Sequence, residues 1–122
     1  MRVNGTDIFM TRGDSERFEV SLFDKELEIQ RNFVEGDKVF FTVKTSTQTK
    51  EFKIQKIIES FNGNGNAADV GKAIVIIDPE DTKDLKYHTY VYDVQMIRDG
   101  FVTTIIKPSK FVIEEEVTYD YE

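Results

Sequence analysis

Asp81-Thr82-Lys83-Asp84-Leu85-Lys86-Tyr87-His88-Thr89-Tyr90-Val91-Tyr92-Asp93-Val94 is the stretch from which the fold is read. Pro79 stands just ahead of it with Glu80 and Asp81 behind, a preset φ followed by negative charge, which predicts one short helical turn ending around Leu85. From Tyr90 the period becomes two. Tyr90, Tyr92, Val94 and Met96 alternate with Val91, Asp93, Gln95 and Ile97, the signature of a strand with one face inward. A short turn running into a strand that opens on tyrosine has the layout of a tyrosine corner, with Asp81 and Leu85 on the approach and Tyr90 bonding back to upstream backbone. The plainer reading is that Tyr90 lines the core beside Tyr92. The sandwich reading holds either way.

Working outward, Asp99-Gly100 favours a tight type I′ hairpin, because both central residues of that turn need positive φ. Phe101 to Ile106 returns from it and Pro108 breaks the run. Phe111 to Ile113 then begins a last strand that extends through Val117, Tyr119 and Tyr121, which alternate with polar residues and present an edge for another chain. Upstream, Ala73 to Ile77 is apolar on both faces and predicts a strand that is central or covered on both sides. Asn62-Gly63-Asn64-Gly65-Asn66 tolerates positive φ and predicts an exposed loop. Val39, Phe41 and Val43 alternate with polar neighbours after the turn Glu35-Gly36-Asp37. Phe52 and Ile54 continue that period beyond the polar connection Thr45 to Thr49, so these two strands are expected to pair. Phe18, Val20 and Leu22 mark a strand near residues 15–23. Seven to eight short strands, one helical turn and no internal repeat predict a single all-β domain over residues 1–122. With the corner, the pattern fits an immunoglobulin-like antiparallel β-sandwich, with a small barrel as the alternative of like pattern.

The chain has 122 residues, 39% of them hydrophobic and 32% charged, a balance that supports one packed core. A formal charge of −7, with lysines scattered along the strands, opposes binding to phosphate backbones, so no nucleic-acid partner is expected. There is no cysteine. This excludes disulfides, a thiol nucleophile and cysteine zinc sites. No apolar run approaches the 18 or so residues of a membrane span. Arg2, Asp7, Arg12, Asp14, Glu16 and Arg17 leave no room for a signal peptide's apolar region, so neither a membrane partner nor export is expected.

The inventory for catalysis is poor. His88 is the only histidine, and it falls at the entrance to a strand with no nucleophile motif beside it. The reading is a non-enzyme with no cofactor. Asp78, Glu80, Asp81 and Asp84 form one acidic cluster, and Glu114, Glu115 and Glu116 a second. Neither has the ligand periodicity of a calcium loop; the first suits a helix start and the second a solvated strand edge, so no metal is expected. Arg12-Gly13-Asp14 spells an integrin-recognition triplet, but a strand follows at once and a structural bend is the reading taken. Asn4-Gly5-Thr6 fits a glycosylation pattern that is idle without export. Most aromatics fall at core parity, with Tyr119 and Tyr121 the exceptions.

Taken in order, Thr11-Arg12-Gly13-Asp14, then Glu35-Gly36-Asp37-Lys38-Val39-Phe40-Phe41-Thr42-Val43-Lys44, then Asp81-Thr82 through Leu85 to Tyr90-Val91-Tyr92-Asp93-Val94 resemble one group of proteins. Asp99-Gly100, Thr103 or Thr104, Phe111 and Val117-Thr118 continue the match. The sequence is similar to bacteriophage and prophage tail proteins related to the N-terminal domain of the baseplate upper protein. The resemblance implies a virion tail or baseplate location for a chain made in the bacterial cytoplasm. It also implies a structural or adaptor role, with other tail or baseplate proteins or further copies of itself as partners. It brings no catalytic residues. Ending at Glu122 without a coiled coil or fibre, the chain is expected to be a self-contained subunit occupying one position in a tail or baseplate, or a decorating protein. The alternative is a free-standing immunoglobulin-like carbohydrate- or protein-binding module.

Overall fold

A computed structural model describes residues 2–24 and 26–116, and over them the chain is all-β. The strands in chain order are β1 (Arg2–Asn4), β2 (Asp7–Thr11), β3 (Glu16–Val20), β4 (Leu22–Asp24) and β5 (Ile29–Arg31). They continue with β6 (Lys38–Lys44), β7 (Ile54–Ile58), β8 (Ala73–Ile77), β9 (His88–Arg98) and β10 (Phe101–Glu114), with α1 (Pro79–Thr82) between β8 and β9. Six of them form one curled sheet in the order β1-β2-β10-β9-β6-β7. β3 pairs with β8 and β4 with β5 in two smaller sheets.

The core lies between the concave face of the large sheet and the β3–β8 pair. Val39, Phe41 and Val43 of β6 and Tyr90, Tyr92 and Val94 of β9 supply one side, and Val20, Ala73, Val75 and Ile77 the other. Phe18 of β3 reaches across to Phe41, with ring centroids 5.9 Å apart. Phe41 also packs on Tyr92 at 5.3 Å and edge-on to Phe111 at 6.1 Å, so three strands of one sheet and one of the other meet at a single ring. The alternation read from Val39-Phe41-Val43 and from Tyr90 to Met96 is what places these side chains inward.

Several expectations change on the structure. The strand expected near 15–23 is cut at Ser21 into β3 and β4, which belong to different sheets. β8 is not central. It pairs only with β3, and although Ala73, Val75 and Ile77 are fully buried, Ile76 is 49% exposed opposite Arg17. An apolar run reads the same whether its second face is covered or merely aliphatic, which is why the pattern misled. Pro108 does not end a strand. β10 runs through it with register shifts between Thr104 and Ile106 and between Ile106 and Ser109, so the proline sits at a bulge where no ladder donor is needed. The sheet is not wholly antiparallel, because β2 runs parallel to β10 with Ile8 opposite Phe111. Among the described residues ten strands replace the seven to eight expected, since β1, β4 and β5 span three residues each, too few to show a period. The Asn62–Asn66 loop is exposed apart from half-buried Gly63, yet its segment holds two 3₁₀ turns, with Asn62 and Asn66 accepting from the N–H groups of Asn64 and Ala68.

The β6–β7 pairing and the tight turn are as read. Val43 lies opposite Ile54, and Asp99 and Gly100 have φ of 50° and 79°, the positive values of a type I′ turn. α1 covers Pro79–Thr82 and the chain turns on to Leu85, whose N–H reaches the Thr82 carbonyl at 2.9 Å. Gly71 has φ of 79° with Asn32 packed against it: a Cβ there would lie 2.4 Å from the Asn32 Cγ, so only glycine fits.

Asp37, read from the sequence only as part of a turn, is buried. It receives two bonds from Arg98, Nε to Oδ1 at 2.8 Å and Nη2 to Oδ2 at 2.7 Å, and the Val34 N–H at 2.9 Å. Arg98 holds this carboxyl below the usual carboxylate range against the opposing effect of burial. The pair ties the turn before β6 to the end of β9. Its two halves differ in exposure, 1% for the Asp37 side chain and 39% for that of Arg98. Arg98→Ala strands a buried carboxylate and is expected to cost about 3 kcal/mol. Asp37→Ala leaves a guanidinium that water can reach and is expected to cost nearer 1–2 kcal/mol. Urea melts of the two variants check the order. Because the folded Asp37 titrates low, the pair's contribution is full above the usual aspartate range and is lost as pH falls through the lower folded value, so Asp37→Ala flattens the acid limb.

Candidate functional site

Around the corner, the Tyr90 hydroxyl donates to the Lys86 carbonyl at 2.9 Å, four residues upstream. Asp81 closes the start of α1 by accepting the Asp78 N–H at 2.8 Å, and it pairs with Lys56 of β7 at 2.8 Å. Leu85 packs on the core, and its carbonyl accepts Arg12 Nη1 at 3.1 Å. These contacts tie the segment 78–90 to Arg12 and to β7, making a joint between elements. His88 is exposed, its ring edge-on to Tyr90 at 5.0 Å.

Arg12 completes the joint. Its Nε and Nη2 reach the two oxygens of Glu116 at 2.9 and 2.6 Å, Nη2 also reaches the Tyr87 hydroxyl at 2.8 Å, and the guanidinium lies 4.2 Å from the Tyr87 ring centroid. Gly13, with φ of 83°, donates its N–H to Thr82 Oγ1 at 2.8 Å. The triplet at 12–14 is thus built into the molecule at two of its three residues. Glu116 does not act as a solvated edge charge, as the reading of the acidic cluster had it: Arg12 first, and then Tyr87, hold its carboxyl below the usual range. No group of three or more His, Asp or Glu side chains among the described residues is arranged to hold a metal ion. Val117, Tyr119 and Tyr121, the expected partner-binding strand, lie outside the described residues.

Two surfaces remain, and both use residues that the sequence reading had assigned elsewhere or passed over. The first is at the end of the molecule that carries the Asp99-Gly100 turn. Phe23, Val34 and Arg98 line one depression, with Phe23 57% and Val34 52% exposed. Phe101 lies directly opposite Arg98 and so shares its face, and it is 79% exposed. Phe101 and Thr103 have the inward parity of β10 yet are exposed, because the β9–β10 hairpin projects beyond the layer that covers its lower half. Core parity therefore does not guarantee burial. The return of the chain from the turn at Phe101 was legible; where the covering layer stops was not.

The second surface is a cleft of about 460 Å³ on the outer, convex-side residues of β6 and β9. Its floor comes from side chains that alternate with the core set, among them Phe40, Thr42, Asp93 and Gln95. Phe52 and Lys50 of the connection before β7 form one wall and Pro108 of the β10 bulge stands opposite. Phe52 was expected at core parity with Ile54, but β7 begins only at Ile54, and Phe52 is 54% exposed. Asp93 is half-buried here, and desolvation raises its carboxyl above the usual range, opposed by the charge of Lys44.

Compared with models of protein families, with curated proteins and with solved structures, the chain has no match in any of the three.

Two measurements check the tyrosine contacts of β9. Tyr90→Phe removes one hydroxyl bond and is expected to cost about 1 kcal/mol in a denaturant melt. Tyr92, whose hydroxyl donates to the Thr6 carbonyl, is pushed up to about 12 by burial and then by the nearby charge of Asp7. A raised folded value means that stability is full below the ordinary tyrosine range and is lost as pH rises from about 10 toward 12. Tyr92→Phe is expected to flatten that alkaline loss, read from melts at pH 9 to 11.

Proposed function

We propose that this chain is an immunoglobulin-like sandwich serving as a non-enzymatic structural or adaptor subunit of a phage-type tail baseplate, built into the particle by protein–protein contact. The sandwich reading is supported by strand order. β10-β9-β6-β7 follows the order of strands G, F, C and C′ of an immunoglobulin variable-type sheet, and β3-β8 follows the pair B and E. α1 and Tyr90 then fall at the E–F corner, with the hydroxyl-to-backbone bond that such a corner makes.

The observation that carries assembly is the exposed apolar end formed by Phe23, Val34 and Phe101, with the arginines Arg31 and Arg98 at the same depression. Large aromatic and aliphatic side chains grouped on one surface beside arginine have the composition of a protein interface, where apolar burial drives association and the charged groups orient it. The resemblance in the ordered motifs names the class of partner: other tail or baseplate proteins, and further copies of this chain. The residues of those motifs also hold the fold together, Arg12 and Gly13 at the joint, Val39 to Val43 in β6 and Tyr90 to Val94 in β9.

Immunogold electron microscopy tests this, using antibody to the chain on tailed particles released from a producing culture. Label is expected at the tail tip. Phe101→Asp, expected to fold as well as the parent because Phe101 is exposed, is expected to lose that label. Unlabelled tails, including after mild disruption, overturn the reading.

A further inference from the structure

The cleft on the outer face of β6 and β9 has a construction that the apolar end lacks. Strand pairing sets Gln55 opposite Thr42 and Thr42 opposite Asp93, so three hydrogen-bonding side chains form a row across β7, β6 and β9. The next row holds Phe40 opposite Gln95. Gln55 Nε2 meets Thr42 Oγ1 at 3.3 Å and Gln95 Nε2 meets Thr104 Oγ1 at 3.5 Å, long bonds that leave these amides with further capacity. Asp93 stands where the row runs into the β10 bulge. The register there passes from Ile106 opposite Val94 to Ser109 opposite Tyr92, so β10 offers Asp93 no paired residue. Its carboxylate makes no hydrogen bond or ion pair to a side chain among the described residues, and Lys44 is the charge acting on it. Phe52, more than half exposed, overhangs this floor from the side.

Each class of ligand meets these groups differently. A purely apolar molecule would bury Asp93 and the glutamines without partners. Nucleic acid would bring phosphates to a carboxylate on a chain of formal charge −7. A peptide strand adds to a sheet at an edge, where backbone groups are free, whereas the floor of this cleft lies on β6 and β9, two interior strands of the large sheet. A pyranose has what the cleft asks for: a flat C–H face for an aromatic ring, and a rim of hydroxyls that both donate and accept. The volume of about 460 Å³ lies within the range of small-molecule sites.

We propose that this cleft binds a short neutral saccharide, with one sugar ring against Phe52 and neighbouring hydroxyls donating to Asp93 and bonding to Thr42 and Gln55. Lys44 balances the Asp93 charge, and Lys50 of the wall is exposed and solvated, so the sugar needs no charge of its own. This inference is independent of the assembly reading, which uses the turn-bearing end and other residues.

The test is a titration of the ¹⁵N-labelled chain with four neutral tetrasaccharides (cellotetraose, maltotetraose, mannotetraose and chitotetraose), followed by amide NMR shifts. At least one is expected to give saturable shifts centred on Thr42, Phe52, Gln55 and Asp93. Phe52→Ala and Asp93→Asn, each shown folded by its own spectrum, are expected to weaken binding tenfold or more, and Phe101→Asp to leave it unchanged. No saturable shift with any of the four, shifts centred elsewhere, or full binding by both cleft variants overturns the proposal. Tail labelling that persists while every sugar fails removes the saccharide site and leaves the assembly reading standing; sugar binding with unlabelled tails does the reverse.

Discussion

The ring of Phe41 is the point on which the two layers of this protein close. It touches Tyr92 and packs edge-on to Phe111 within its own sheet, and it meets Phe18 from the opposite sheet. Aromatic rings bury more area than any other side chains, and four of them sharing contacts hold β3, β6, β9 and β10 at a set spacing. The burial of Val39, Val43, Val75, Val94 and Ile77 follows from that closure, since each lies on the faces these rings bring together. What the closure cannot reach stays open, and the hairpin tip beyond Met96 is the clearest case.

Two polar ties act where the apolar core thins. Asp37 and Arg98 link the turn before β6 to the end of β9, and Arg12 and Glu116 link the ends of β2 and β10 to the corner that precedes β9. Both are two-pronged arginine–carboxylate pairs, the geometry in which a charged contact is most directional. They sit at opposite ends of β9. One end is therefore sealed by the Arg12 joint, and the other, beside Arg98, keeps Phe23, Val34 and Phe101 exposed. The outer cleft has a different origin: the same alternation that sends Tyr92 and Val94 into the core sends Asp93 and Gln95 outward into it.

How much of this was legible depended on how local its cause was. The type I′ turn at Asp99-Gly100, the strand at Val39 to Val43 and the helical turn at Pro79 rest on backbone preferences and alternation spanning a few residues, and they read directly. The inward parity of Tyr90 with Tyr92 was legible, while its bond to Lys86 required coordinates. The Asp37–Arg98 pair joins residues 61 positions apart, and nothing near either one announces the other. Phe52 and Phe101 were placed by parity, and parity says which way a side chain points without saying whether another layer is there to meet it. Ile76 failed for the same reason.

The sequence by itself determined an all-β chain, the inward set of β6 and β9, the tight turn, and the absence of cysteine chemistry, because each follows from local conformational preference or from composition. Only the tertiary structure decided that β2 runs parallel to β10, that β10 passes through Pro108 on two bulges, that Arg12 is locked to Glu116, and which aromatics are left on the surface. These depend on which strands become neighbours, a choice made by the whole core at once, so no single stretch of residues carries it.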